Sequence, residues 1–354
     1  MKILKCTFFI LLMGLFGSLQ AQDIHWSLYQ MSPLTLNPAL TGAFNGTARV
    51  GGIYRDQSRV GLENGFTTPS FYVDAPILNV GKKDWVGVGG MIYNDEAGSV
   101  GLGTVGAYLS ASYHKALNKK GTSLISFGLQ GGMMQRRIDI DQLILGDGIS
   151  QDFANNETVG TSRSMDLDRI DDSSSAFDLN AGVTISSQVN KQTDLTIGIS
   201  LYHILKPSYG LIDENKNATG IRADSTTVEL PRRFQLHGLF NFDLNKKWTL
   251  SPGFLYGQIS SANEFQIQTM LGYTLNKENN TVFKFGPGYR IGDAAQLLLG
   301  LDMKDLKVAA SYDMTLSGQN DINSGVGAFE IAASYIIKIF KAPTVKPVIF
   351  CPRF

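Results

Sequence analysis

The chain of 354 residues balances 31 Lys and Arg against 31 Asp and Glu, so it lacks the basic excess that a nucleic-acid partner would need. Of its two cysteines, Cys6 falls in an amino-terminal leader, and Cys351 alone cannot form an intramolecular disulfide. Thirty-eight glycines with 20 phenylalanines and 13 tyrosines, spread evenly, suit many strands and turns better than helices.

Residues 1–21 read as a secretory signal. Lys2 and Lys5 precede an apolar run from Phe8 to Leu19, which gives way to small residues up to Ala21. The run is too short for a stop-transfer helix, which needs about 20 residues. Cys6 lies too early to be an acylated lipoprotein cysteine, and the mature chain is expected to begin at Gln22. Residues 22–46 are rich in Pro, Asn and Gly and are expected to form an ordered periplasmic lead-in outside the body of the protein.

No later stretch holds 18 consecutive apolar residues, so helical membrane spans are excluded. The other way to span lipid is a closed β-barrel, because every backbone N–H and C=O must be paired there. Its sequence signal is a series of segments of about ten residues that alternate apolar and polar. Leu195, Ile197, Ile199 and Leu201 oppose Thr196, Gly198 and Ser200; Val105, Ala107, Leu109 and Ala111 oppose Thr104, Gly106, Ser110 and Ser112. The stretches 305–316 and 326–340 repeat the pattern. A soluble β-sandwich would alternate too, but polar faces bearing amides, hydroxyls and charges suit a wet or side-chain-filled lumen better.

In chain order the segments fall near 47–55, 66–75, 84–93, 104–115, 123–134, 176–188 and 193–203. They continue near 232–243, 248–257, 263–275, 281–290, 295–303, 305–315 and 326–340. About 14 strands is an even number, which returns both termini to the periplasmic side. Short polar connections such as Asn118-Lys119-Lys120 and Asn245-Lys246-Lys247 fall after even strands, and the long excursions 135–175 and 204–231 after odd ones. The expected fold is therefore all-β: a transmembrane antiparallel β-barrel over 47–340, with short periplasmic turns and long external loops. After it, residues 341–354 carry Pro343, Pro347 and Pro352 and are expected to form a periplasmic tail, at the rim or tucked into the lumen.

Few residues suggest chemistry. Gly101, Gly103 and Gly106 match a dinucleotide-binding spacing, but a strand follows where that motif needs a helix. His25, His114, His203 and His237 are isolated in sequence, without metal-ligand spacing; His114 and His237 are read as hydrogen-bonded lumen residues. The aspartates of the 135–175 loop lack the spacing of a compact calcium cage. Arg232 and Arg233 are read as rim charges, with lipopolysaccharide phosphates as an alternative contact. Trp26, Trp85 and Trp248 lie near strand ends, where a bilayer interface favours aromatics. No catalytic, cofactor-binding or metal-binding residue is assigned, and no enzyme activity or cofactor is expected.

The lead-in from Tyr29 through Pro33, Asn37 and Pro38 to Gly42, followed by Arg49-Val-Gly-Gly-Ile-Tyr54-Arg55-Asp56-Gln57, resembles the start of PorP/SprF family proteins. Gly87-Val-Gly-Gly-Met-Ile-Tyr-Asn94-Asp95, Leu129-Gln-Gly-Gly, Pro231-Arg-Arg-Phe, Gly286-Pro-Gly-Tyr289-Arg290 and Cys351-Pro-Arg-Phe354 extend the resemblance over the mature chain. The resemblance implies a non-enzymatic role in the type IX secretion and gliding apparatus of Bacteroidota, in the cell outer membrane. Its implied partners are other components of that system and a secreted protein, often a large surface adhesin, whose carboxy-terminal sorting domain is exported or retained. Membrane lipid and lipopolysaccharide would surround the wall. The motif positions Tyr29, Pro33, Asn37, Pro38, Gly42, Tyr54 and Arg55 either brace the amino end of the barrel, which is the preferred reading, or touch a partner. The alternative function is a passive solute channel or a transporter of hydrophobic compounds.

Overall fold

A computed structural model describes residues 23–57, 65–98, 101–140, 149–152, 157–161, 171–208, 210–211, 229–317 and 325–339. The leader 1–21, the tail 341–354 with Cys351, and most of the two long excursions lie outside the described residues.

The alternating segments pair edge to edge. They are β1 (Ala48–Gln57), β2 (Phe66–Val80), β3 (Asp84–Ala97), β4 (Leu102–Ala116), β5 (Ser123–Arg137), β8 (Ser173–Asn190) and β9 (Thr193–Tyr202). The series continues with β10 (Arg233–Asp243), β11 (Trp248–Ile259), β12 (Ala262–Asn276), β13 (Thr281–Arg290), β14 (Ala294–Met303), β15 (Leu306–Thr315) and β16 (Val326–Ile337). The intervening β6 (Ile149–Asp152) and β7 (Glu157–Thr161) form a separate hairpin in the excursion between β5 and β8. Each of the fourteen pairs antiparallel with its sequence neighbours, and β1 closes on β16 from Ala48 opposite Ile337 to Gln57 opposite Ala328. This is the barrel expected from the alternation. β2 runs on to Val80 rather than stopping at Ala75, because Pro76, which has no N–H to give the ladder, is absorbed at a bulge between Pro76 and Leu78.

The wall is inside-out relative to a soluble protein. Leu109, Leu129, Phe177 and Ile185 point outward and are exposed, whereas Ser110, Gln130, Asp178 and Ser186 on the opposite phase are buried in the lumen. Residues 81–83, 117–122, 191–192, 244–247, 277–280 and 304–305 make short turns at one end, where β1 starts and β16 stops. The excursions 138–172 and 203–232 leave from the other end. Among the described residues no helix is long and apolar enough to cross a membrane.

The lead-in departs from expectation. It runs inside the barrel, not outside it, as three short helical turns, Tyr29–Met31, Pro33–Leu36 and Pro38–Leu40; the second and third start on proline, whose missing N–H costs nothing there. Thr47 donates its N–H to Ile337 O (2.8 Å) at the short-turn end. Asp23 lies beside His203 and Arg233 at the opposite end. The segment thus traverses the lumen, and it supplies much of the apolar core. Trp26, Leu28, Tyr29, Leu36 and Leu40 pack on Ile53, Leu239, Leu255, Met270 and Leu298 of the wall, while Leu34 packs among Tyr72, Met91, Tyr93 and Tyr108.

Candidate functional site

The site is the seat of the lead-in. Toward the short-turn end it is a slot floored with glycine. A Cβ at Gly128 would overlap the backbone of Pro38 and Ala39, and one at Gly182 would overlap Asn37 Oδ1. Wall and plug therefore approach to a distance that only glycine permits. Asn37 joins three strands: its Oδ1 accepts from Ala39 N (2.9 Å), and its Nδ2 donates to Ile199 O (3.0 Å) and Val183 O (3.3 Å) and faces His237 Nε2 (3.3 Å). Thr41 Oγ1 bonds Ser110 Oγ (2.9 Å), and Thr41 O lies 2.8 Å from His114 Nε2, whose Nδ1 is 2.7 Å from Ser126 Oγ. The Trp85 ring stacks on His114 with centroids 4.5 Å apart and donates from Nε1 to Gly42 O (3.0 Å). Gly42, at φ +68°, donates its N–H to Asp74 (2.7 Å). Arg49 clamps the same carboxylate through Nε (2.9 Å) and Nη2 (2.7 Å), the paired geometry that makes such contacts strong.

Toward the long-loop end the seat is ionic. Glu330, fully buried, accepts the N–H groups of Ser27 and Leu28 (2.7 Å each) and pairs with Arg55. Asp313 accepts from Ser27 Oγ (2.7 Å) and lies 3.3 Å from Arg290. Asp23 bridges Arg233 (2.9 Å) and His203 (3.2 Å), and His203 Nδ1 meets Asp178 (2.9 Å). Burial alone would push the Asp23 carboxyl up, but the Arg233 guanidinium and the His203 ring override it and hold the group well below the usual carboxylate range. For His203 burial opposes the charge, yet hydrogen bonds to Asp178 and Asp23 carry its pKa up to about 9. His25 is driven the other way: burial and then the nearby Arg55, Arg290 and Arg233 hold it neutral, so it can accept from Arg55 Nη2 (3.3 Å). The bonds that reach the plug end on its backbone, on the side chains of Ser27 and His25 and on its one carboxylate, Asp23, so the arrangement holds a polypeptide in place.

The structure gathers most of the motif residues here. Tyr29, Pro33, Asn37, Pro38 and Gly42 lie on the plug, buried, and Arg55 points into the lumen against it. Tyr54, one residue away on β1, points outward and is exposed. Sequence reasoning missed Asp23, Asp74, Asp178, Glu330 and the floor glycines. Glu330 was the legible one, a lone carboxylate amid the apolar residues of β16. Arg233 turns inward to Asp23 and to Ile24 O (2.7 Å), which corrects the expectation of a rim charge there, whereas Arg232 stays exposed at the long-loop end and donates from Nε to Ile204 O (3.0 Å). Trp26 and Trp85 are buried in the lumen, a second correction to the interface reading. Gly101 precedes β4, and Gly103 and Gly106 lie within it, Gly106 under the rings of Tyr93 and Tyr108.

A comparison with curated proteins finds no significant sequence match. Among solved structures the chain is similar to the toluene transporter TbuX of Ralstonia pickettii, at 10% identity over 85% of this chain and 91% of that one, with a TM-score of 0.47. A Pseudomonas aeruginosa FadL homologue is similar at 12% identity over 84% and 92%, with a TM-score of 0.44. A KdgM porin follows at 8% identity over 81% and 98%, with a TM-score of 0.38. All three scores are low, and the barrel assignment rests on the strand pairing itself. Residues 18–335 match the model of the type IX secretion system membrane protein PorP/SprF, and the chain therefore belongs to that family, as an outer-membrane β-barrel of the type IX secretion system.

Proposed function

We propose that this barrel is a closed anchor that binds one secreted protein, a surface adhesin of the type IX system, and helps export or retain it through its carboxy-terminal sorting domain. The observation that carries the reading is the occupied lumen. A solute channel needs a continuous aqueous path, and here the chain's own residues 23–47 lie along it. Two gaps beside the plug, lined by described residues, are small. One lined by Gln30, Met31 and Phe44 holds about 40 Å³, and one lined by Asp23, Tyr93 and His203 about 20 Å³. Such spaces take a water molecule or two, not a sugar. A rigid, filled wall leaves the loops at the long-loop end and the rim as the surface for cargo; most of those loops lie outside the described residues. Cell-surface display and contact with lipopolysaccharide at that end belong to the same proposal.

The test is recovery of the tagged barrel from native membranes under gentle detergent. Co-recovery of one large secreted protein, lost from the cell surface when the barrel gene is deleted, is expected. Recovery of no such protein, together with rapid sugar leakage from vesicles carrying the pure barrel, would replace the anchor with the channel.

A further inference from the structure

The six short turns share a pattern. Each carries an exposed lysine: Lys82, Lys119, Lys191, Lys246, Lys277 and Lys304. Since the strands they join follow one another around a closed barrel, the lysines form a ring over the circumference except where β1 meets β16, and there Lys338 stands just beyond the end of β16. In five of the six turns the lysine comes two residues after an exposed apolar side chain, as in Val80 and Lys82, Leu117 and Lys119, or Leu275 and Lys277. Most carboxylates at this end are engaged or buried: Asp84 accepts from Tyr113 OH (3.0 Å) and Ala116 N (2.9 Å), Asp302 pairs with Lys284 (2.8 Å), Asp305 pairs with Lys338 and Asp194 is buried, while Glu278 is exposed.

An outward apolar residue belongs in hydrocarbon, so an ammonium group two residues beyond it stands at headgroup level, with its methylene stem along the apolar edge. Repetition around the whole rim fits an annulus of lipid, whereas a docked protein would meet one sector. We infer that the short-turn end selects anionic phospholipid headgroups, each lysine drawing a phosphate that no headgroup cation offsets, and that this ring fixes the end in the phospholipid leaflet of the outer membrane. The inference is independent of the cargo reading.

Native mass spectrometry of the full mature barrel, equilibrated with equal phosphatidylglycerol and phosphatidylcholine, tests it. The expected result is a preference for phosphatidylglycerol of about tenfold, since each lysine at a charged surface contributes a modest attraction. It should weaken with added salt. A variant with all six lysines changed to Gln should lose the preference while its heat-modifiable mobility is unchanged. If that variant does not insert, K82Q/K119Q/K191Q, which neutralises half the ring, should retain a reduced preference. Equal retention of the two lipids, a preference undiminished in the variants, or its abolition by inorganic phosphate at an ionic strength where sodium chloride leaves it intact would overturn the inference. So would capture of an acidic protein by the ring with no lipid selectivity.

Discussion

Arg55 and Tyr54 are neighbours in the motif, yet the two-residue period of a strand sends them to opposite solvents. Arg55 faces buried Glu330 and Asp313. Its removal leaves Glu330 without its cation, while Asp313 keeps Arg290, and Arg55→Ala is expected to cost about 3 to 5 kcal/mol. Tyr54→Ala is expected to change stability by no more than about 1 kcal/mol, because it touches neither the plug nor its seat. Thermal unfolding in detergent measures both. Gly128→Ala places a methyl where the Pro38 and Ala39 backbone now lies. The expected outcome is a displaced plug, open to protease, in a barrel that keeps its heat-modifiable mobility. Through His203, docking is expected to depend on pH. Its pKa is raised from 6.5 to about 9 in the folded state, so the stabilisation is fully present below 6.5 and lost as pH rises through 9. The loss is on the order of 3 kcal/mol. Protease protection of the lead-in should fall across that range, and His203→Gln should remove the dependence. An unchanged pH profile in that variant would show that another group titrates.

As an element, the lead-in is held by others and builds no sheet of its own. The fourteen strands pair around a closed ring without it. A chain lacking residues 23–46 is therefore expected to insert as a barrel while leaking small sugars from vesicles, which the intact protein should not do. A sealed vesicle would mean that the wall side chains alone fill the lumen. This element was also the least legible in sequence. Its helical turns are too short to show a 3.6-residue period, and Pro33, Asn37, Pro38 and Gly42 read as loop chemistry. The same residues serve as helix starts, a cap and a left-handed turn, and nothing local says which side of a wall they occupy. The strands were legible because each is long enough for alternation to repeat, but their ends were not: β2 runs on through the Pro76 bulge, and β3, β5 and β8 extend three or four residues further at the long-loop end in regular register.

Over the whole molecule, lipid outside and a polar, plugged interior set the pattern. Leu109 stands midway along β4 and is 76% exposed. Leu109→Arg puts a charge in the hydrocarbon layer and should cost about 2 to 4 kcal/mol, read as reduced folding into vesicles. A cost-free substitution would argue that this face meets water. The even strand count and the placing of both long excursions at one end were readable before any pairing was known, although 260–261 and 291–293 at that same end are as short as the turns opposite. They are global properties written in local spacing, since each turn marks where the chain leaves the membrane.

Strand number, the lipid-facing phase and connection parity were thus set by the sequence alone, because each depends on a short-range period. The tertiary structure decided what the lumen contains. Closing β1 on β16 creates a space of fixed width, and only then do distant residues meet: Asn37 with Gly182 and His237, Asp23 with His203 and Arg233, Arg55 with Glu330. Contacts between residues so far apart in the chain leave no periodic trace, since their partners are chosen by the diameter and register of the closed sheet.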